Sequence, residues 1–223
     1  MHLYNESITY LNQKPIIWRT YNIETFVSNE SIAKEESIYY NNSFVDSIQI
    51  FYEGAISGPS LNRYTSINNK YINKTVSSGD KIYASYEYKY NNQNLIEEIH
   101  YVNNFGSYSN KYNYTYDING NLIKKYINDQ LTAEYEYSTI KNPFYKLSKA
   151  YLLNTPIVEP NQNEGVLLTS SMLLSKAIFY NSNGEIEHEI LYDFLSEENE
   201  YPSTGTITNN GKMRNATFEY QLK

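Results

Sequence analysis

The feature that most constrains this chain is a run of short segments in which residue character alternates with period two, each closed by an Asn-rich or Asn-Gly break. Residues 82–138 show it best. Ile82, Ala84, Tyr86, Tyr88 and Tyr90 alternate with Tyr83, Ser85, Glu87 and Lys89. That period puts successive side chains on opposite faces of a strand and is incompatible with a 3.6-residue helical repeat. Asn91-Asn92-Gln93-Asn94 then turns the chain, and Leu95–Val102 runs back. Asn103-Asn104-Phe105-Gly106 makes the next break. Tyr112, Tyr114 and Tyr116 alternate with Lys111, Asn113 and Thr115, and Asp117-Ile118-Asn119-Gly120-Asn121 follows. Asn-Gly supplies the positive φ angles that a tight hairpin turn needs. Residues 122–126 return, Asn128-Asp129-Gln130 turns again, and residues 131–137 complete a meander.

The same unit recurs on both sides. Residues 175–180, a turn at Asn181-Ser182-Asn183-Gly184 and residues 185–193 form one hairpin. Residues 205–208, Asn209-Asn210-Gly211 and residues 212–222 form another. Residues 36–40, Asn41-Asn42-Ser43 and residues 44–52 read as a third, and residues 61–64 and 70–76 as weaker strands. Composition agrees. Of 223 residues, 26 are Tyr, against 8 Phe and one Trp. Tyr suits a half-buried pleated surface, with its ring packed and its hydroxyl wet. The expected fold is all-β, an antiparallel meander of about 10–14 strands by hairpin counting, closed into a barrel or strongly curved, with a two-sheet sandwich as the alternative. One β domain spans 1–223, with the regular hairpins in 80–223. Residues 152–172 are different. Pro156, Pro160 and Gly165 punctuate one long connection, with room for a helical turn around 166–174.

Charge and composition exclude several functions. The net charge is −7 and the isoelectric point is near 5.1. A nucleic-acid binder carries a basic stripe, and an anionic membrane recruits one. The absence of Cys removes disulfides, thiolate metal sites and thiol nucleophiles. No apolar stretch is long enough for a transmembrane helix. Met1-His2-Leu3-Tyr4-Asn5-Glu6 has neither the basic start nor the apolar run of a signal peptide. The chain is therefore cytoplasmic if Met1 is its native start, or its precursor carries a leader.

The hairpin unit resembles the YD repeat of RHS-type bacterial surface and toxin-shell proteins. The likeness rests on Tyr116-Asp117-Ile118-Asn119-Gly120-Asn121, with looser copies at Tyr180-Asn181-Ser182-Asn183-Gly184-Glu185 and Tyr90-Asn91-Asn92-Gln93-Asn94. Residues 80–223 are more similar to a group of Bacteroidetes lipoproteins of unknown function with a porin-like β fold. Tyr137, Lys141-Asn142-Pro143-Phe144, Phe179 to Gly184, Thr206 to Gly211 and Ala216 to Tyr220 carry that likeness. It implies an extracytoplasmic location, in the periplasm, on the outer-membrane surface or secreted. It also implies a lipid anchor in the full-length precursor, and it brings no active-site residues. Asp46-Ser47-Ile48 resembles the short O-glycosylation pattern of exported proteins in the same phylum.

Chemistry-bearing candidates are few. Asp117 to Asn121 resembles the start of a calcium loop, but Asn128 stands where an EF-hand needs a bidentate Glu, and the segment reads as a hairpin turn. Glu185, Glu187 and Glu189 share one strand face, with His188 on the other. Glu98 and His100 share a face, but two ligands are too few for a metal, and His2 joins no motif. No nucleophile elbow or phosphate loop is present. No cofactor, metal or catalytic residue is implied. The ligand-binding candidates are Tyr86, Tyr88, Tyr90, Tyr112, Tyr114 and Tyr116. On adjacent strands, they form either a core of cross-strand aromatic pairs or an exposed platform for sugars or peptides. The expected function is that of a non-enzymatic exported or cell-surface protein, binding or structural. The alternatives are a glycan-binding module and a polysaccharide hydrolase with paired carboxylates in a barrel mouth.

Overall fold

A computed structural model describes residues 3–12, 14–23, 30–52, 58–143, 145, 170–196 and 201–217. They form fifteen strands: β1 Leu3–Leu11, β2 Lys14–Ile23, β3 Glu30–Asn41, β4 Phe44–Tyr52, β5 Ser60–Ile67, β6 Lys70–Ser78, β7 Lys81–Tyr90, β8 Ile96–Asn103, β9 Tyr108–Tyr116, β10 Leu122–Ile127, β11 Gln130–Lys141, β12 Met172–Tyr180, β13 Ile186–Ser196, β14 Pro202–Asn209 and β15 Lys212–Thr217. Each is hydrogen-bonded to its neighbours in chain order, in one sheet running from β1 to β15. The expected all-β meander is the fold. Its order is open, because among the described residues no pairing joins β1 to β15. The strand count exceeds the expected range, since the β1–β2 hairpin escaped the sequence reading. The helical turn expected around 166–174 is absent at 172–174, where β12 begins. Most of the 152–172 connection lies outside the described residues, as does the chain beyond 217.

Two kinds of turn recur in the meander, three times each. Asn68-Asn69, Asn128-Asp129 and Asn210-Gly211 each take positive φ at both central positions, the backbone of a two-residue type I′ hairpin. The second kind recurs three times, at 91–95, 117–121 and 181–185. In each, the first residue is Asx, and its Oδ1 accepts from the backbone N–H groups two and four residues on, at 2.8–3.1 Å. The backbone closes with two further bonds per turn, such as Asp117 N to Asn121 O at 2.9 Å. Asn94, Gly120 and Gly184 supply the positive φ. Residues 91–95, 117–121 and 181–185 thus form one turn built three times.

The contacts gather the chain into two compact units. The first holds β1–β6, β7 as far as Tyr88, and residues 100–109. Its core packs Trp18, Ile38, Val45, Ile48 and Ile50, with Ile8, Tyr40 and Tyr64 against them. Tyr hydroxyls tie its strands: Tyr40 donates to Pro15 O at 2.8 Å, and Tyr71 accepts from Val45 N at 2.7 Å. Lys74 is buried, with its ammonium 4.7 Å from the Tyr86 ring centre and 6.0 Å from that of Tyr64, which offsets part of its desolvation. The second unit holds residues 89–99 and the described chain from Asn110 onward. Its core includes Ile96, Ile99, Tyr112, Tyr114, Leu122, Ala133, Tyr135, Leu173, Leu174 and Ala177. Here Tyr116 donates to Ile96 O and Tyr137 to Leu122 O, both at 2.7 Å.

Candidate functional site

The six stripe tyrosines occupy inward-facing positions. Tyr88, Tyr112 and Tyr114 are buried, and Tyr86, Tyr90 and Tyr116 half-buried. The expectation that the two stripes sit on adjacent strands is corrected by the strand order, which places β8 between β7 and β9. Tyr86 packs on Tyr101 at 4.9 Å and lies parallel to Tyr88 at 6.5 Å. A stacking platform needs contiguous exposed rings, and none of these six is exposed.

Exposed rings occur at several places, among them Tyr10, Tyr39 and Tyr52, and the most exposed, Phe105, lies at the turn joining β8 to β9. Asn103 builds it. Its Oδ1 accepts from Phe105 N at 2.9 Å and Gly106 N at 2.8 Å, and its amide nitrogen donates to the hydroxyls of Tyr101 at 3.1 Å and Tyr108 at 3.4 Å. Asn104 pins the turn to β7, donating from its backbone to Tyr83 O at 2.8 Å and from its side chain to Ile82 O at 3.3 Å. On this scaffold Phe105 is 83% exposed, Ile82 51% and Tyr108 50%. The Phe105 ring leans on Tyr83 at 5.9 Å, and Tyr108 packs edge-on to Tyr101 at the same distance. Gly106 has no room for a side chain, since a Cβ there would fall 2.8 Å from the Tyr108 ring. Leaving a Phe in water forgoes about 2 kcal/mol of burial, and a rigid turn gives the ring nowhere to hide. The sequence marks this site only by an apolar residue inside an Asn-Gly break, read there as punctuation.

The polar candidates resolve into structural roles. The Asp117 carboxylate takes Asn119 N, Asn121 N and Asn121 Nδ2 at 2.8–2.9 Å, so amides fill the positions a calcium ion would use. His188 stacks on Phe179 at 4.3 Å, while Glu189 pairs with Lys176 at 2.6 Å; Glu185 and Glu187 are exposed. His100 lies 3.9 Å from Glu87. Glu98 bridges Lys89 at 2.6 Å and Lys111 at 3.3 Å, and the Lys89 hydrogen bond leads in holding its carboxyl below the usual range. Glu134 is lowered likewise by Lys124, then by Tyr180. Both are settled anions, unlike the proton donor a glycosidase requires. Ser47 sits inside β4, paired with Arg63 and Tyr39 on the two sides. His2 lies outside the described residues.

In the second unit, the Tyr114 and Tyr135 hydroxyls are buried without a hydrogen-bond partner among the described residues. Burial drives both phenols above their ordinary range; for Tyr114 the hydroxyls of Tyr116, Tyr112 and Tyr135 add to it. These groups remain protonated at any physiological pH and offer no acid–base chemistry.

No helix among the described residues is long and apolar enough to cross a membrane. No protein-family profile and no curated protein matches the sequence. Solved structures do. A porin-like protein from Bacteroides uniformis aligns with a TM-score of 0.56 at 12% identity, over 95% of this chain and 86% of its own. One from Bacteroides vulgatus aligns with a TM-score of 0.45 at 14% identity, over 91% and 95%. The first of these likenesses shows that the two chains share a fold.

Proposed function

We propose that this is an extracytoplasmic binding protein of the bacterial envelope, whose contact surface is the aromatic turn at 103–108. One observation carries the reading. Phe105, the most exposed ring in that turn, is held there by six hydrogen bonds of Asn103 and Asn104. An apolar group fixed in water at the cost of burial is arranged for a partner. Ring faces beside a polar Asn scaffold suit the apolar face of a sugar or an aromatic or apolar side chain of a protein. The envelope location is supported by the fold shared with a porin-like Bacteroides protein, and by the lipoprotein resemblance, which adds a lipid anchor in the precursor. The test is a glycan array, with pull-down from envelope fractions, on the native chain and on Phe105→Ala. Binding by the native chain that falls at least tenfold in the variant, about 1.4 kcal/mol, supports the site. Binding unaffected by the substitution removes the turn from consideration, and a cytoplasmic fraction containing all of the protein removes the location.

A further inference from the structure

The sequence contains three Asn-Gly pairs, Asn119-Gly120, Asn183-Gly184 and Asn210-Gly211. All three Asn residues are exposed, yet the structure treats the following amide differently. Gly120 N donates to Asp117 O at 3.2 Å, and Gly184 N donates to Asn181 O at 3.0 Å. Asn119 N and Asn183 N are held in turn by the Oδ1 atoms of Asp117 and Asn181, both at 2.9 Å. The two pairs are locked in Asx turns. Asn210-Gly211 instead forms the two-residue turn between β14 and β15, where Asn209 pairs with Lys212. Among the described residues Gly211 N has no acceptor. β15 ends the strand order, and its described side chains are exposed, so opening this hairpin breaks one strand pairing rather than two.

We propose that Asn210 is the position at which this protein modifies itself, by intramolecular deamidation through the free Gly211 amide. Gly211 N attacks the Asn210 Cγ. The side-chain nitrogen leaves as ammonia, taking up the proton that Gly211 N loses, and a five-membered imide closes. Water then opens the imide at either carbonyl, giving aspartate or isoaspartate with no change of oxidation state. Aspartate adds a negative charge beside Lys212. Isoaspartate routes the main chain through the side chain and lengthens a two-residue turn by one backbone atom. A two-residue hairpin fixes its register through that turn, so isoaspartate unpairs Lys212 from Asn209 and frees β15.

The experiment uses the full chain, which contains its own controls. Folded protein is held at mildly alkaline pH and sampled by peptide mapping, with a parallel sample in denaturant. The expected result is comparable conversion of all three Asn residues in denaturant, and conversion of Asn210 severalfold ahead of Asn119 and Asn183 in the folded protein. If Asn119 or Asn183 keeps pace with Asn210 while folded, the proposal is overturned. Gly211→Asn, which still accepts positive φ, is expected to slow conversion at 210 severalfold without altering the other two sites; an unchanged rate overturns the role of Gly211. Hydrogen exchange then separates charge from backbone. β15 amides are expected to lose protection in the isoaspartate form and keep it in Asn210→Asp, and equal protection in both overturns the structural consequence.

Discussion

The ring of Phe194 lies across the backbone of Gly205. The two residues are partners in the β13–β14 ladder, and a Cβ on Gly205 would fall 2.3 Å from Phe194 Cδ1. The glycine is buried and has no special φ, so its use is the space it leaves, as where an aromatic ring covers a strand glycine. Gly205→Ala therefore has to push the ring aside. Such overpacking costs about 1–3 kcal/mol, against a gain of under about 1 kcal/mol from a less flexible unfolded chain. The expected net effect is destabilisation, read as a lowered urea midpoint. In a Phe194→Ala background the same substitution is expected to be neutral or stabilising, and a double-mutant cycle measures the difference. Equal effects in both backgrounds would mean the ring does not fill that space.

The three Asx turns predict their own interchangeability. Asn91 and Asn181 do with an amide what Asp117 does with a carboxylate, since each Oδ1 accepts the same two backbone N–H groups. Asp117→Asn keeps both backbone bonds but gives up the Oδ2 that accepts from Asn121 Nδ2 at 2.9 Å, and is expected to cost about 1 kcal/mol. Asp117→Ala strands the N–H of the buried Asn121 and is expected to cost about 1–3 kcal/mol. Thermal melts of the two variants separate these outcomes. An equal loss in both would show that the carboxylate's Oδ2, with its charge and its bond to Asn121 Nδ2, holds the turn rather than the Oδ1 acceptor.

The aromatic turn and the aromatic core separate by stability. Tyr88 is buried on β7, whereas Phe105 leans on Tyr83 with most of its surface in water. Truncating a buried aromatic costs about 3–5 kcal/mol, and a surface change away from special features stays within about 0.5 kcal/mol. Tyr88→Ala is expected to lower the melting temperature sharply and Phe105→Ala to leave it nearly unchanged. A large loss from Phe105→Ala would make that ring a structural part of the turn.

Most of the fold was legible because local chemistry and global topology agree. Asn-Gly and Asx breaks fall at hairpin length, and a chain of hairpins can pair in sequence order without any long-range choice. The β1–β2 hairpin was hidden because Pro15 lies within β2 and weakens a strand reading, and because its turn at Asn12 lacks a glycine. The site was not legible for a different reason. Period two separates the Tyr86 and Tyr88 face from the Tyr83 face, but it does not say which face water touches. Phe105 is exposed because Asn103 and Asn104 bind the turn to Tyr101, Tyr108 and β7, and those partners lie 2 to 22 residues away. The Phe194 and Gly205 contact likewise depends on a register set across a break that the sequence leaves open.

Alkaline pH is expected to unfold the protein through its buried phenols. Tyr114 and Tyr135 titrate in the unfolded chain near the ordinary value of 10.0, and burial raises both in the folded state. Their contribution to stability is therefore complete below pH 10 and is lost as pH rises, because the unfolded chain releases protons that the folded one keeps. Each contributes a slope that approaches about 1.4 kcal/mol per pH unit above that point, so the pair alone removes about 2 kcal/mol between pH 10 and 11. Lys125 acts in the opposite sense: burial lowers it from 10.5, so its charge penalty fades as pH approaches that value. With Tyr116 and Tyr137 also raised by burial, the phenols outnumber it. The measurement is tyrosinate absorbance alongside far-ultraviolet circular dichroism across the titration. Exposed tyrosines are expected to ionise first with the sheet signal intact, and the buried ones to ionise in one step with loss of the sheet. In Tyr114→Phe and Tyr135→Phe, which also remove hydroxyls that have no partner among the described residues, that step is expected to move to higher pH. Smooth ionisation of all tyrosines with the sheet signal unchanged would show that these hydroxyls reach water in the native fold.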